Sequence, residues 1–301
     1  MYANELCQKG YRLGQVIGRG AEGVVQAAER THGSPSSVVI KKRAMGSPSL
    51  AASCAMELQA LETVHPNIVE LLEYFVSEDG CCCFFVLERL QTDLFTFIQS
   101  QAKQCADVGA LSEQQARPIF RDVASALAHM HSCNLSHNDV KPENVLLTIA
   151  TDGSVGRAKL SDFGLSQFGM QLTSAVGTHE YMSPESLRLA EDELLGIRCR
   201  VYCAACSDAY ALGVTLYVSL LGRYPEPWFD RRLSTLASTL ASRRLPPDFV
   251  KQCNISREAQ QLIASMMQYE PAQRATLSQV AASNWLREND IARGSDRPGP
   301  V

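Results

Sequence analysis

Gly18-Arg19-Gly20-Ala21-Glu22-Gly23 is a G-x-G-x-x-G run. Glycine lets a backbone approach phosphate oxygens with no Cβ in the way, so the run is a candidate phosphate cradle. A P-loop would need Lys-Ser or Lys-Thr after the last glycine, and Val24-Val25 stands there instead. A dinucleotide fold would need a helix next and an acidic residue about 20 positions on. Here β-branched residues follow, and a lysine, Lys41, lies in that region. Two readings stay open on these residues: a strand–loop–strand flap over nucleotide phosphates, and an ordinary glycine-rich hairpin. Val25 completes the longer G-x-G-x-x-G-x-V form of the flap. Lys41, ending Val38-Val39-Ile40-Lys41, is the candidate cation, and Lys42 beside it reads as a solvated charge. Such a lysine needs a carboxylate to fix it. Glu57 is the first candidate and Glu62 the second, although a helix-surface glutamate would explain either. Farther on, Cys199, Cys203 and Cys206 form C-x3-C-x2-C. Three thiols could bind Zn²⁺ with a fourth ligand, but no nearby ligand is evident, so small buried or exposed thiols are the plainer reading.

These groups need a scaffold, and composition allows one. The chain has 301 residues, 46% hydrophobic and 20% charged, which suffices for a globular core. Net charge is −4, from 28 basic and 32 acidic residues, so no basic excess points to nucleic acid. The most apolar run, Ala209 to Leu221, is too short to span a bilayer and suits a buried helix. No basic or apolar leader opens the chain, and the 11 cysteines are odd in number. Reduced thiols and an intracellular, cytoplasmic setting are therefore expected.

The first third reads as strands. Tyr11–Gly18, Val24–Glu29 and Val38–Lys42 are β-rich runs, with a turn at Gly33-Ser34-Pro35-Ser36-Ser37. Apolar spacing predicts a helix over 50–64, then strands over 68–75 and 82–87. Cys81-Cys82-Cys83 starts the last of these and reads as small packing residues. Beyond about residue 93 the pattern is helical. Ser112 and Gln115 make a capping box ahead of an amphipathic stretch to His131. Further helices are predicted over 207–221, 256–268 and 276–286. The Gly- and Pro-rich end from Arg293 to Val301 reads as disordered. The predicted organisation is an N-terminal extension (1–10), a small sheet-rich lobe (11–89), a larger helical lobe (90–286) and a short tail (287–301).

His137-Asn138-Asp139-Val140-Lys141-Pro142-Glu143-Asn144 resembles the catalytic loop H-R-D-L-K-P-E-N of eukaryotic protein kinases. Ser161-Asp162-Phe163-Gly164 resembles the D-F-G segment. Gly177-Thr178-His179-Glu180-Tyr181-Met182-Ser183-Pro184-Glu185 resembles G-T-x-x-Y-M-A-P-E, with Ser for Ala. Asp208-Ala209-Tyr210-Ala211-Leu212-Gly213 resembles D-x-W-x-x-G, with Tyr for Trp, and Arg274 fits the late arginine that pairs with the glutamate of A-P-E. The resemblance covers about residues 11–286. It implies an α+β bilobal protein-kinase fold, with a small antiparallel-sheet N-lobe and a mainly helical C-lobe. It also implies ATP and Mg²⁺ as cofactors and a protein substrate. By the same resemblance, Asp139 would accept the substrate hydroxyl proton, and Lys141 would neutralise charge on the transferring phosphoryl group. Thr178 would bridge Asp139 and Lys141, while Asn144 and Asp162 would hold Mg²⁺. Lys41 and Glu57 would form the phosphate-holding pair under Gly18, Gly20 and Gly23. Val25 and Val39 would roof the adenine, Leu87 would be the gatekeeper, Glu88 and Leu90 would meet the base, and Asp93 the ribose. His137 and Phe163 would pack between the lobes, and Asp208 would support the catalytic loop. Lys141-Pro142-Glu143-Asn144 is the serine/threonine form of its motif. The rival reading is a pseudokinase scaffold or partner-activated regulatory module, but Lys41, Asp139, Asn144, Asp162 and the loop glycines are all present.

Three departures carry expectations of their own. Asn138 replaces the catalytic-loop arginine that receives an activation-loop phosphate in many kinases, so activity is expected not to depend on a phosphate there. Thr173 and Ser174 are the possible phosphosites. The interval from Glu185 to Asp208 is long for the family, and residues 188–206 are a possible regulator-docking insert or simply a tolerated solvent loop. Thr148 to Arg157 lengthens the link between Asn144 and Asp162. With the Leu111–Arg121 run, it is similar to the calcium/calmodulin-dependent-type group.

Overall fold

A computed structural model of the chain describes residues 2–20, 23–33, 36–104, 111–197, 201–225 and 255–287, with Arg243, Leu245 and Phe249. Cys199 and the 293–301 tail lie outside the described residues. Strands β1 (Tyr11–Gly20), β2 (Gly23–Arg30), β3 (Ser37–Ala44), β4 (Leu71–Val76) and β5 (Cys82–Glu88) form one antiparallel sheet in the order β1-β2-β3-β5-β4. The side-chain period of two decides its layering. On β5, Cys82, Phe84 and Val86 join an outer cluster with Leu6, Tyr11, Val38 and Ile40, whereas Cys83 and Phe85 join the main core. Both faces are therefore covered. The outer cover is helix α1 (Tyr2–Gln8), which buries Leu6 and sets Tyr2 edge-on to Phe84 at 5.8 Å. The stretch expected only as an extension is thus a lid on the sheet.

The inner cover is helix α2 (Pro48–Leu61). Ser47 caps it by accepting from Leu50 N, and Pro48 sits at its first position, where a missing N–H costs nothing. It ends three residues before the predicted Val64, which is exposed. The predicted strand 68–75 is shorter at its start, and Ile68 instead makes a single parallel bridge to Leu160.

The C-terminal lobe is built on α4 (Glu113–Ser132) and α6 (Ala204–Leu221). Ser112 caps α4 with both bonds of the capping box present, a device of about 0.5–2 kcal/mol. Its apolar face buries Ile119, Phe120, Val123, Leu127 and Met130. Helix α6 starts earlier than predicted. It has 18 residues with mean hydropathy 1.4, enough by length and composition to cross a membrane, but 72% of it is buried inside the fold. Its apolar character is thus accounted for by core packing. Around these pack α3 (Leu94–Gln104), α5 (Pro184–Leu194), α7 (Arg257–Met266), α8 (Leu277–Ala281) and α9 (Asn284–Arg287). The predicted 276–286 helix is therefore two short helices, broken at Ala282 and Ser283.

Small sheets connect the lobes' inner edge. Strands β6 (Thr92–Asp93), β8 (Val145–Ile149) and β9 (Val155–Leu160) form one sheet. Strand β7 (Leu135–Ser136) pairs with β10 (Gln167–Phe168), and β11 (Gln171–Leu172) pairs with β12 (Tyr202–Cys203). The first part of the sequence-expected insert is ordinary structure. Residues 188–194 continue α5, where Leu189 is buried and Arg188 donates to the Tyr269 hydroxyl at 2.6 Å.

Candidate active site

Alternation along β3 sends Val38 and Ile40 outward, and Lys41 and Arg43 toward α2. Lys41 Nζ donates to Glu57 Oε1 and to Asp162 Oδ1, each at 2.6 Å. Arg43 donates to the other oxygen of Glu57. Glu57 is only 1% exposed, so a lone carboxylate there would be costly, and two cations offset that cost. The structure thus selects Glu57 over Glu62 as the carboxylate that reaches Lys41. Arg43 was not foreseen. The available signal was its spacing, two residues past Lys41 on the same strand face.

Sheet register gathers the proposed nucleotide-side residues. Val25 lies opposite Lys41 and Gly18, and Val39 lies opposite Leu87. The glycines differ in what they do. A Cβ on Gly23 would sit 2.0 Å from the Lys42 carbonyl oxygen, and its φ is +146°, so this glycine lets the hairpin lie on β3. A Cβ on Gly20 would meet nothing within 4 Å, which leaves open space at the turn. Leu90 packs against the core. The Glu88 carboxylate accepts from Glu70 N at 2.7 Å and from Lys159 Nζ, which holds the strand end in place. Asp93 caps α3, accepting from Thr96 N and Thr96 Oγ1, both at 2.8 Å.

The second half of the site hangs on the loop after β7. Asp208, near the start of α6 and 1% exposed, accepts from His137 N (2.9 Å), Asn138 N (2.8 Å) and His131 Nε2 (2.8 Å). Burial pushes its carboxyl pKa up, but these donors and the nearby His137 outweigh it and hold the group below the ordinary value. The clamp fixes Asn138 at φ 68°, a left-handed conformation that asparagine tolerates better than most residues. His137 Nδ1 accepts from Asp139 N at 3.2 Å, so its Nε2 carries the proton and donates to the Ser161 carbonyl at 3.0 Å. Its ring meets Phe163 edge-on at 5.2 Å. Both ring nitrogens are occupied, which suits a structural histidine.

Asp139 is the centre of the polar network. Its Oδ1 accepts from Thr178 N (2.9 Å) and Thr178 Oγ1 (2.7 Å), and its Oδ2 from Lys141 Nζ (2.7 Å) and Asn144 Nδ2 (3.1 Å). Lys141 Nζ also donates to Thr178 Oγ1 at 2.7 Å. Asp162 has φ 62° and a side chain 43% exposed, with one oxygen on Lys41. Burial raises its pKa, but Lys41 first, then His137 and Lys141, hold it below the ordinary carboxylate value. Asn144 spends its amide N–H groups on Asp139, which leaves its amide oxygen as an acceptor. An amide oxygen and an ionised carboxylate are the hard donors that Mg²⁺ takes. These residues fit a magnesium–nucleotide complex, with Lys41 as its nearby cation.

The segment beyond is held by the motif residues. Arg274 grips Glu185 with two nitrogens, at 2.5 and 3.0 Å, and donates to the Cys206 carbonyl at 2.7 Å. Ser183 caps α5 and meets Ser207 Oγ at 3.1 Å. Tyr210 is fully buried, with its hydroxyl on the Arg243 carbonyl at 2.9 Å. Arg243 in turn donates to the carbonyls of His179 and Glu180, both at 3.0 Å. No sequence pattern marks Arg243.

Comparison with known proteins identifies the domain that carries this geometry. The model of the protein kinase domain matches residues 11–286. The chain belongs to the protein kinase family. A CBL-interacting serine/threonine-protein kinase of Arabidopsis thaliana is 31% identical over 292 residues, covering 93% of this chain and 58% of the relative. A probable myosin light chain kinase of Dictyostelium discoideum is 30% identical, covering 93% and 84%. A calcium/calmodulin-dependent protein kinase of Emericella nidulans is 28% identical, covering 92% and 62%. The kinase chain therefore spans about three fifths of the plant and fungal relatives it matches. It carries a kinase domain of the serine/threonine type, in the bilobal α+β fold.

Proposed function

We propose that this kinase transfers the γ-phosphoryl group of Mg-ATP to serine or threonine hydroxyls of protein substrates, and that it does so without a phosphate docked at the catalytic loop. Bound Mg-ATP supplies the phosphoryl group and the cation that shields its charge. The protein's own part is positional and electrostatic. Asp139 offers a carboxylate to align a substrate hydroxyl and take its proton. Lys141 and Thr178 hold that carboxylate and bring a positive charge beside it. Lys41, fixed by Glu57, provides the second cation. The observation that carries the reading is the set of donors converging on Asp139, combined with Lys41 spanning Glu57 and Asp162.

The phosphate-independent part rests on Asn138. Its side-chain Nδ2 donates to the Leu165 carbonyl at 2.9 Å, directly behind Asp162-Phe163-Gly164. A neutral amide tethers the segment where an arginine would wait for a phosphate. The regulator-docking reading keeps residues 188–206 as its span, and among the described residues there Leu194, Leu195, Ile197 and Val201 are exposed.

The test is phosphate transfer from Mg-ATP to a mixed serine/threonine substrate set by phosphatase-treated protein, beside Asp139→Asn and Lys41→Met. Transfer by the wild type and loss in both variants is the expected result. Wild-type transfer that survives in Asp139→Asn would overturn the assignment of the base. Silence of the wild type until an upstream kinase phosphorylates it would overturn the phosphate-independent part.

A further inference from the structure

The start of α6 carries chemistry that phosphoryl transfer does not use. Cys203 lies in β12, paired with Gln171, and the next amide, Ala204 N, donates to the Met170 carbonyl at 2.9 Å. Its backbone is therefore anchored on both sides of the helix entrance. Cys203 is the N-cap of α6, and its Sγ accepts from Cys206 N at 3.4 Å. Cys206 is three residues on, in the first turn, so the two side chains are neighbours on one face of the helix entrance. Both residues are half-buried. The result is a Cys-X-X-Cys dithiol at the head of an 18-residue helix, with its two side chains one turn apart.

Backbone N–H groups at a helix start favour a thiolate, and a second thiol one turn away can resolve a bond formed at the first. We propose that Cys203 and Cys206 are a redox-modification site, oxidised to an intramolecular disulfide by a small disulfide such as oxidised glutathione. The Cys203 thiolate attacks one glutathione sulfur, and the glutathione S–S bond breaks as a protein–glutathione bond forms. One glutathione leaves as thiolate. Cys206 then gives up its proton and attacks the Cys203 sulfur, which expels the second glutathione. The protein dithiol loses two electrons, glutathione disulfide gains them, and the protons end on the two glutathiones.

The two thiols are unequal in the direction this needs. Donation from the Cys206 thiol, with N–H donation from Cys206 and Ala205, brings Cys203 down to about 6 against the opposing effect of burial. Cys206 is pushed up, chiefly by giving its proton to Cys203 and by burial. Cys203 is thus the attacking thiolate near neutral pH, and Cys206 holds the proton until the second step.

The experiment uses the full chain in glutathione buffers of increasing disulfide fraction, with free thiols then alkylated and the digest read by mass spectrometry. Cys203 and Cys206 should escape alkylation together, in a peptide lighter by two hydrogens, and should recover with excess reduced glutathione. In Cys206→Ser the oxidation should stop at a glutathione adduct on Cys203. The pH profile of iodoacetamide alkylation at Cys203 in the wild type should have its midpoint near 6. In Cys206→Ala, which has no side-chain donor, it should move up toward the ordinary thiol value of about 8.5. Recovery of both cysteines as free thiols even in pure glutathione disulfide would overturn the proposal. So would a bond from Cys203 to any other cysteine, Cys199 included, or a wild-type midpoint near 8.5. The wild-type measurements decide the matter even if the variant folds poorly.

Discussion

Replacing Asp208 with asparagine tests whether one buried carboxylate sets the catalytic-loop geometry. Asp208 takes His137 N and His131 Nε2 on Oδ2 and Asn138 N on Oδ1. An asparagine has one acceptor oxygen. In its better orientation it keeps the two donors on the Oδ2 side, and its NH2 then faces Asn138 N–H. A buried donor is left unmet, at about 1–3 kcal/mol, and the two remaining bonds lose the help of a full charge. Relief from burying that charge offsets part of this. A net loss of about 2–4 kcal/mol follows, or a fall in Tm of roughly 5–15 °C. The catalytic rate should fall as well, because Asn138 is held at φ 68° by this clamp, next to Asp139. KM for ATP should change little, since the contacts between Lys41, Glu57 and Asp162 are elsewhere. The pH dependence has a definite sign. The folded carboxyl lies below its ordinary value, so its contribution is present above about pH 4 and lost as pH falls through the folded value. The stability gap between wild type and variant should be flat from about pH 6 to 8 and narrow below about pH 4. Urea unfolding and steady-state kinetics on both proteins measure these quantities. A loss under about 1 kcal/mol with an unchanged catalytic rate would refute the clamp.

Other substitutions probe separate parts. Gly23→Ala places a Cβ 2.0 Å from the Lys42 carbonyl and should cost at least about 2 kcal/mol in urea unfolding. Gly20→Ala has open space, so stability should stay within about 0.5 kcal/mol while KM for ATP rises. Arg43→Met removes one of the two cations on Glu57 and should cost about 1–3 kcal/mol, with weaker ATP binding by calorimetry. Thr173→Ala with Ser174→Ala, both at exposed positions, should leave the rate within about twofold, and a loss beyond about tenfold would contradict phosphate independence.

Much of this site was legible because its residues occur in short runs whose order along the chain is informative. Glu57 illustrates the limit of spacing alone. Both Glu57 and Glu62 fall on the predicted 50–64 helix, which left Glu62 open, and the actual helix phase of α2 decided between them. Arg43 was readable in principle from strand alternation. Arg243 was not, because its role comes from tertiary placement beneath His179 and Glu180 rather than from any local pattern. Helix ends were the weakest readings. The predicted 50–64 helix took in Val64, yet the helix stops at Leu61, with Glu62 as its C-cap. The start of α6 was placed too late because Ala204, Ala205 and Cys206 lack the polar cap that usually marks an N-terminus. A cysteine sulfur fills that role instead.

The activation segment shows why a missing arginine need not leave it loose. Leu165 is tied to Asn138 Nδ2, and β10 pairs with β7 immediately afterwards. Gly169 N donates to the Asn134 carbonyl at 2.8 Å, and β11 pairs with β12. Leu172 is then buried with Leu189, Tyr202 and Ala204 in a small cluster of its own. At the far end Thr178 bonds Asp139 twice, and a Cβ on Gly177 would lie 2.5 Å from the Asn138 carbonyl oxygen. Most of these anchors are neutral backbone bonds, and the two carboxylates beside them, Asp139 at Thr178 and Glu193 at Ala175 N (3.3 Å), accept from neutral N–H and O–H groups. A phosphate–arginine contact draws its strength from charge and weakens in salt. A segment held by neutral pairing and a buried apolar cluster should keep its order as salt rises. Activity of the unphosphorylated kinase should therefore fall with salt no faster than its ATP affinity does.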